Sequence, residues 1–166
     1  MTTGGGVGID ERWSPEGLGE LRTLYGPLRR FAAVIGRWDV EPDDLVQEAY
    51  ARVLRRREIE IEDLGPYLRR TIVNLATDER RRARKGAEVV QQLRPAPRSD
   101  DYPSELTDLL RLPERVRALL YLVDVEGMRS NDAADLVGMS PPSARVALMR
   151  ARRRLRLELS VESSGE

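Results

Sequence analysis

The sequence predicts an all-α fold of two small helical domains joined by a flexible linker, and three observations carry that expectation. Apolar residues recur at helical spacing through most of the 166-residue chain. Prolines stand where helices start, at Pro42, Pro66, Pro113 and Pro141. Between Gly86 and Pro103 the periodicity dissolves into Pro95, Pro97 and the polar run Arg98 to Asp101, the composition of an interdomain linker. Charged residues make up 34% and aromatics 5% of the chain, which suits charged helical bundles better than a β-sandwich.

Residues 1–12 are Gly-rich and read as a disordered tail. The first domain is expected over 13–86. From Ser14 to Trp38, Leu18, Leu21, Leu24, Leu28, Phe31 and Ile35 form an apolar stripe, which Pro27 is expected to interrupt or kink. The next helix opens at Pro42, with Asp43 and Asp44 where the helix dipole favours anions and Arg55 to Arg57 where it favours cations. Its apolar side is Leu45, Val46, Ala49, Tyr50, Val53 and Leu54. Glu58 to Gly65 alternates like a strand but has no partner strand, and reads as a loop anchored by Ile59 and Ile61. A further helix runs from Pro66 to Lys85 on Leu68, Ile72, Leu75 and Ala76, with Gly86 as its stop.

The linker is expected over 87–103. Its roughly 17 residues at about 3.3 Å each reach roughly 55 Å, more than one turn of B-DNA at about 34 Å. The second domain, 104–160, starts with Ser104 capping a short helix to Arg111. A helix from Pro113 follows, with Val116, Leu119, Leu120, Leu122 and Val123 apolar. A helix–turn–helix pattern comes next. Its first helix is Ser130 to Val137, its turn Gly138-Met139, and its second helix is capped by Ser140, opened by Pro141 and continued to about Leu159. Residues 161–166 are a tail.

Absences narrow the function. The chain has no Cys and no His, so disulfides, thiolate metal sites and the commonest general base and metal ligand are excluded. No catalytic residue, metal or cofactor is expected, and the chain reads as a binding protein rather than an enzyme. The N-terminus lacks the basic and apolar regions of a signal peptide, and no apolar run approaches the roughly 18 residues of a membrane span. A cytoplasmic protein is expected. Net charge is zero, from 28 basic and 28 acidic side chains, but the signs are segregated. Basic clusters lie at Arg55–Arg57, Arg80–Lys85 and Arg145–Arg156; acidic clusters lie around Asp43, Glu60 and Asp101. Such segregation suits separate surfaces for different partners.

Three groups of residues are candidates for binding. In a helix–turn–helix the second helix enters the major groove, where Arg145 can read guanine and Arg150 is the second cation near the helix start. A helical hairpin that merely packs is the plainer alternative. Asp44, Gln47 and Glu48 share a polar helix side that phosphates would repel, so they suit a protein partner; dipole pairing in the first turn is the alternative for the acids. Arg70, Asn74 and Asp78 recur at four-residue intervals, and Asn and Arg can bond or stack on exposed bases. An ordinary charged face is the alternative there.

Together these segments resemble the extracytoplasmic-function (ECF) sigma factors of the sigma-70 family, from Leu18 to Leu159. Pro42-Asp-Asp-Leu-Val-Gln-Glu-Ala-Tyr-Ala-Arg-Val53 resembles the part of family region 2 that grips the β′ coiled coil of core RNA polymerase. Tyr67-Leu-Arg-Arg-Thr-Ile-Val-Asn-Leu-Ala-Thr-Asp78 looks like the part that opens and reads the −10 element. Leu112 to Met128 resembles the start of region 4, and the helix–turn–helix falls where region 4 reads the −35 element. The resemblance implies core-polymerase contacts at Asp44, Gln47 and Glu48, and −10 contacts at Arg70, Asn74 and Asp78. It implies −35 contacts at Ser143, Arg145, Met149 and Arg150. It also implies the polymerase β flap, promoter DNA and an anti-sigma factor as partners. The chain departs from the family at Ser130, where Tyr or Phe is frequent, at Ala133, at Ser143-Ala144 and at Val146-Ala147. Two other classes fit parts of the pattern: a polymerase-independent helix–turn–helix regulator, and a polymerase-binding relative that has lost promoter reading.

Overall fold

The computed structural model describes residues 15–37, 39–55, 63–90, 109 and 111–162. The described residues are all-α, without strands. Their elements are α1 (Pro15–Ile35), α2 (Pro42–Arg55), α3 (Leu64–Val90), α4 (Glu114–Leu120) continued by a π-helical turn (Tyr121–Val125), α5 (Ser130–Val137) and α6 (Pro141–Glu162). The expected tail over 1–12, the Ile59/Ile61 loop, nearly all of the linker and most of the short helix from Ser104 lie outside the described residues.

Helix α1 runs through Pro27 as one element, against the expected interruption. Leu28, Phe31 and Ile35 on its inner face are fully buried and together contribute about 5–9 kcal/mol. That exceeds the roughly 3 kcal/mol a helix-interior proline costs. Burial outweighs the missing hydrogen bond.

Helix α2 starts at Pro42 as expected and buries Leu45, Val46, Ala49 and Val53. Tyr50 is half-buried and its hydroxyl donates to the Leu21 carbonyl at 2.6 Å, tying α2 to α1. Leu54, counted with the apolar side from the sequence, is exposed. Helix α3 opens two residues earlier than expected because Asp63 caps it, its Oδ1 accepting from the Gly65 N–H at 3.2 Å. Pro66 then lies in the first turn, where its missing N–H is tolerated. The helix also passes through Gly86 to Val90. A helix-interior glycine costs only about 1 kcal/mol relative to alanine, and it stops a helix only where the chain turns left-handed. Leu68, Ile72, Leu75 and Ala76 are buried as expected, joined by Leu64 and Val73.

In the second unit Pro113 caps α4. The π turn is marked by the Glu126 N–H bonding the Tyr121 carbonyl at 3.0 Å. Helix α5 has the expected bounds and ends at Gly138 with φ +69°, a left-handed conformation that glycine adopts without a Cβ clash. The Ala144 N–H bonds the Ser140 carbonyl at 2.9 Å as α6 begins. Ala133, Ala134, Leu136, Val137, Ala144, Leu148 and Ala151 close the helix–turn–helix.

The two units are not held apart. Buried residues of α1–α3 and of α4–α6 belong to one continuous hydrophobic cluster. At the seam the Phe31 and Tyr121 rings lie 5.6 Å apart, tilted by 56°.

Candidate nucleic-acid and polymerase interfaces

The candidate polymerase residues lie along α2. Asp44 and Gln47 are exposed and Glu48 is half-buried. Glu48 bonds Arg52 at 3.1 Å and Arg55 at 3.4 Å, and the hydrogen bond from Arg52 foremost holds its carboxyl below the usual range. Asp43 turns the other way. It accepts from the Tyr25 hydroxyl and from Arg29 at 3.1 Å, and these bonds hold its carboxyl low. Asp43 is therefore an internal partner of α1, while Asp44 and Gln47 present the outward polar edge.

Arg70, Asn74 and Asp78 are exposed on α3, one below the other. Arg70 and Asn74 line a groove of about 490 Å³ with Tyr67, Thr71, Arg52 and Arg55, and Asp78 does not take part. One aromatic ring, an amide, a hydroxyl and three guanidinium groups therefore converge there. Arg52 was not named from the sequence, and Arg55 was named only as a last-turn cation of a basic cluster. The i,i+4 spacing of Arg52 from Glu48 is a local signal for that pair alone, and Arg55 lies a further turn along the same side of α2.

Ser143, Arg145, Met149 and Arg150 are all exposed on α6. Ser143 is tied to the helix start by a 2.8 Å bond between its hydroxyl and that of Ser140. Arg145 and Met149 line a second cavity, about 700 Å³, with Val123, Ser130, Leu148, Arg152, Arg153 and Arg156; Arg150 lies outside it. Arg145 and Met149 flank one side of the exposed Val146, and Ser143 and Arg150 the other. The four residues thus spread over the outward half of the helix rather than forming a single stripe. Arg152 is anchored by Asp124 of the π turn, with Nε 3.2 Å from Oδ2.

A third constellation was not foreseen from the sequence. Arg117 of α4 is 2% exposed. Its guanidinium donates to the carbonyls of Leu112 (2.8 Å), Ile35 (2.5 Å) and Gly36 (3.0 Å). The last two are at the C-terminal end of α1, where carbonyls lack intrahelical donors and carry the negative end of the dipole. Burial lowers the Arg117 pKa from its ordinary value, opposed by nearby Glu114. Around it Arg80 pairs with buried Glu114 at 3.0 Å, and Arg69 with Glu126 at 3.0 Å. Arg70 donates to the Asp135 carbonyl at 3.2 Å. Gly36 fits because it lacks a side chain: a Cβ there would come within 2.8 Å of the Ala32 carbonyl oxygen.

Among the described residues no group of three Asp or Glu side chains is placed to hold a metal ion, and no helix is long and apolar enough to cross a membrane.

Comparisons with known proteins follow the same division. The family profile described as "Sigma-70 region 2" matches residues 20–86, and that described as "Sigma-70, region 4" matches residues 109–155. A relative called RNA polymerase sigma-E factor, from Streptomyces coelicolor, is 36% identical over 149 residues, 84% of this chain and 83% of its own length. Among solved structures, the sigma factor RpoE in complex with the anti-sigma factor NepR, from Bartonella quintana, shares the fold. Its TM-score is 0.69 at 24% identity, over 89% of this chain and 99% of that one.

Proposed function

The chain belongs to the sigma-70 family of RNA polymerase sigma factors, of the ECF type, and from that membership we propose a division of labour along it. It binds core RNA polymerase in the cytoplasm and directs promoter-specific initiation. It acts by binding, not by catalysis. Residues 13–86 dock on the β′ coiled coil through Asp44, Gln47 and Glu48, and hold unpaired −10 bases with Arg70, Asn74 and Asp78. Residues 104–160 meet the β flap and read the −35 duplex with Ser143, Arg145, Met149 and Arg150. Residues 87–103 link the two, and an anti-sigma factor is the controlling partner.

The observation that supports this best is the α2–α3 groove. Tyr67 offers a stacking face, Asn74 a donor and acceptor for a base edge, and Arg52, Arg55 and Arg70 positive charge for the backbone. A duplex-only regulator has no use for such a groove beside an outward acidic helix edge.

Run-off transcription with core polymerase and a genome-wide promoter pool tests the reading. Promoter-specific transcripts are expected, and none from the whole pool would overturn it. A pull-down of core polymerase separates it from the polymerase-independent regulator: Asp44→Lys with Glu48→Lys should abolish capture, and unchanged capture favours the regulator.

A further inference from the structure

We propose that Asp124 is a restraint on DNA binding by α6: its carboxylate holds Arg152 back from the phosphates and so keeps the sequence-independent grip of the helix weak. The inference rests on the proposed reading of duplex DNA by α6. Arg145 and Arg152 are seven residues apart on that helix, within about 20° of two full turns, so they share one face about 10.5 Å apart along the axis. Both line the 700 Å³ cavity, with Arg153 and Arg156. The first turns of such a helix reach base edges in a major groove about 8.5 Å deep. A side chain two turns further along stands at the height of the phosphates. A guanidinium there meets phosphate oxygens, and a phosphate contact adds affinity without reading sequence.

The Arg152 guanidinium is already engaged. Asp124, 28 residues away on the π turn, accepts from Nε at 3.2 Å with one carboxylate oxygen and from an Nη with the other. This is the paired geometry of a strong arginine–carboxylate contact. The pair stands in solvent, its side chains 39% and 40% exposed, so it contributes little to stability. Its effect is on charge. The carboxylate cancels one cation of the face that carries Arg145, and a phosphate approaching Arg152 meets an anion beside it. The charge that binds any duplex is thereby reduced, while Arg145, two turns nearer the helix start, keeps its place for a base edge.

A short random-sequence duplex tests this on the free full-length chain, by fluorescence anisotropy across a salt series. Asp124→Asn keeps the side-chain shape and frees Arg152. It should bind more tightly than wild type, with a plot of log affinity against log salt steeper by about 0.9, the contribution of one phosphate. Its advantage should then shrink about 3.5-fold for each fourfold rise in salt. Adding Arg152→Ala to Asp124→Asn should restore the wild-type slope. Glu20→Gln, exposed on α1, makes the same change in net charge and should leave the slope as in wild type. Four results would each overturn the restraint: an Asp124→Asn slope equal to wild type, a steep slope that persists without Arg152, the same steepening in Glu20→Gln, or no binding by any variant at low salt. Run-off transcription with core polymerase keeps the two readings apart. Transcripts from variants that show no slope change leave promoter reading standing, and a slope change without any transcript counts against promoter reading alone.

Discussion

Arg80 of α3 and Glu114 of α4 form an ion pair of 3.0 Å in which the carboxylate is 7% exposed and the guanidinium 35%. Removing the cation strands a buried charge, whereas removing both partners does not. Arg80→Ala should therefore cost about 2 kcal/mol, since the exposed side of the pair is softened by water. The same change in a Glu114→Leu background should cost under about 0.5 kcal/mol. Urea midpoints of the four proteins in that cycle check it; additive losses would show that the pair is not coupled.

Gly19 within α1 and Gly36 just past its end should respond in opposite directions to alanine. At Gly36 the new methyl meets the Ala32 carbonyl at 2.8 Å and Leu45 at 3.2 Å, and the resulting shift should destabilise by about 1–3 kcal/mol. At Gly19 nothing lies within 4 Å, so Gly19→Ala should stabilise by about 0.5–1 kcal/mol through helix propensity. Thermal or urea denaturation reads both.

Acid should weaken the α1–α2 contact through Asp43. Its carboxyl is held below the ordinary value, by the Tyr25 hydroxyl first and Arg29 second. A folded-state pKa below the unfolded one gives a stabilisation that is complete above the unfolded value, about pH 4. It is lost as pH falls from there through the folded value. The stability difference between wild type and Asp43→Asn should accordingly stay constant from neutrality down to about pH 5 and shrink below pH 4. Denaturation midpoints against pH measure it, and a difference that grows on acidification would contradict the assignment.

At the DNA faces the two candidate readers should fail differently. Arg145→Ala should lower −35-dependent initiation about 5- to 150-fold and change base preference there, as loss of an Arg–guanine contact does. A uniform loss with a shallower salt slope would make Arg145 a phosphate contact instead. Asn74→Ala should impair initiation while leaving capture of core polymerase unchanged, read by permanganate footprinting of the −10 region.

Local order was legible in the sequence. Pro42 and the Asp43–Asp44 turn, the Leu68/Ile72/Leu75/Ala76 stripe and the bounds of α5 with Gly138 all follow from helical spacing and end signals, which act within a few residues. Where a local signal met tertiary burial, burial prevailed, as at Pro27. The joining of the two units was not legible. Its determinants are charged residues, Glu114 and Arg117, which rank among the residues least often buried, and their partners lie far away in the chain. The run Glu114-Arg-Val-Arg-Ala-Leu-Leu120 did hold a clue: Arg117 sits among apolar neighbours, on a helix with little solvent-facing surface left. Of the candidate sites, the positions on α2, α3 and α6 were named from the sequence, but the groove that unites Asn74 with Arg52 and Arg55 required the helices to be placed side by side.

The capping of α1 by Arg117 also imposes an order on synthesis. Arg117 lies 82 residues after Ile35, so at about 5–20 residues per second the ribosome needs roughly 4–16 s to supply it. During that interval the nascent first unit has an unfinished helix end and an uncovered Phe31 face. Its charged outer surface, rather than the completed core, must then keep it from aggregating.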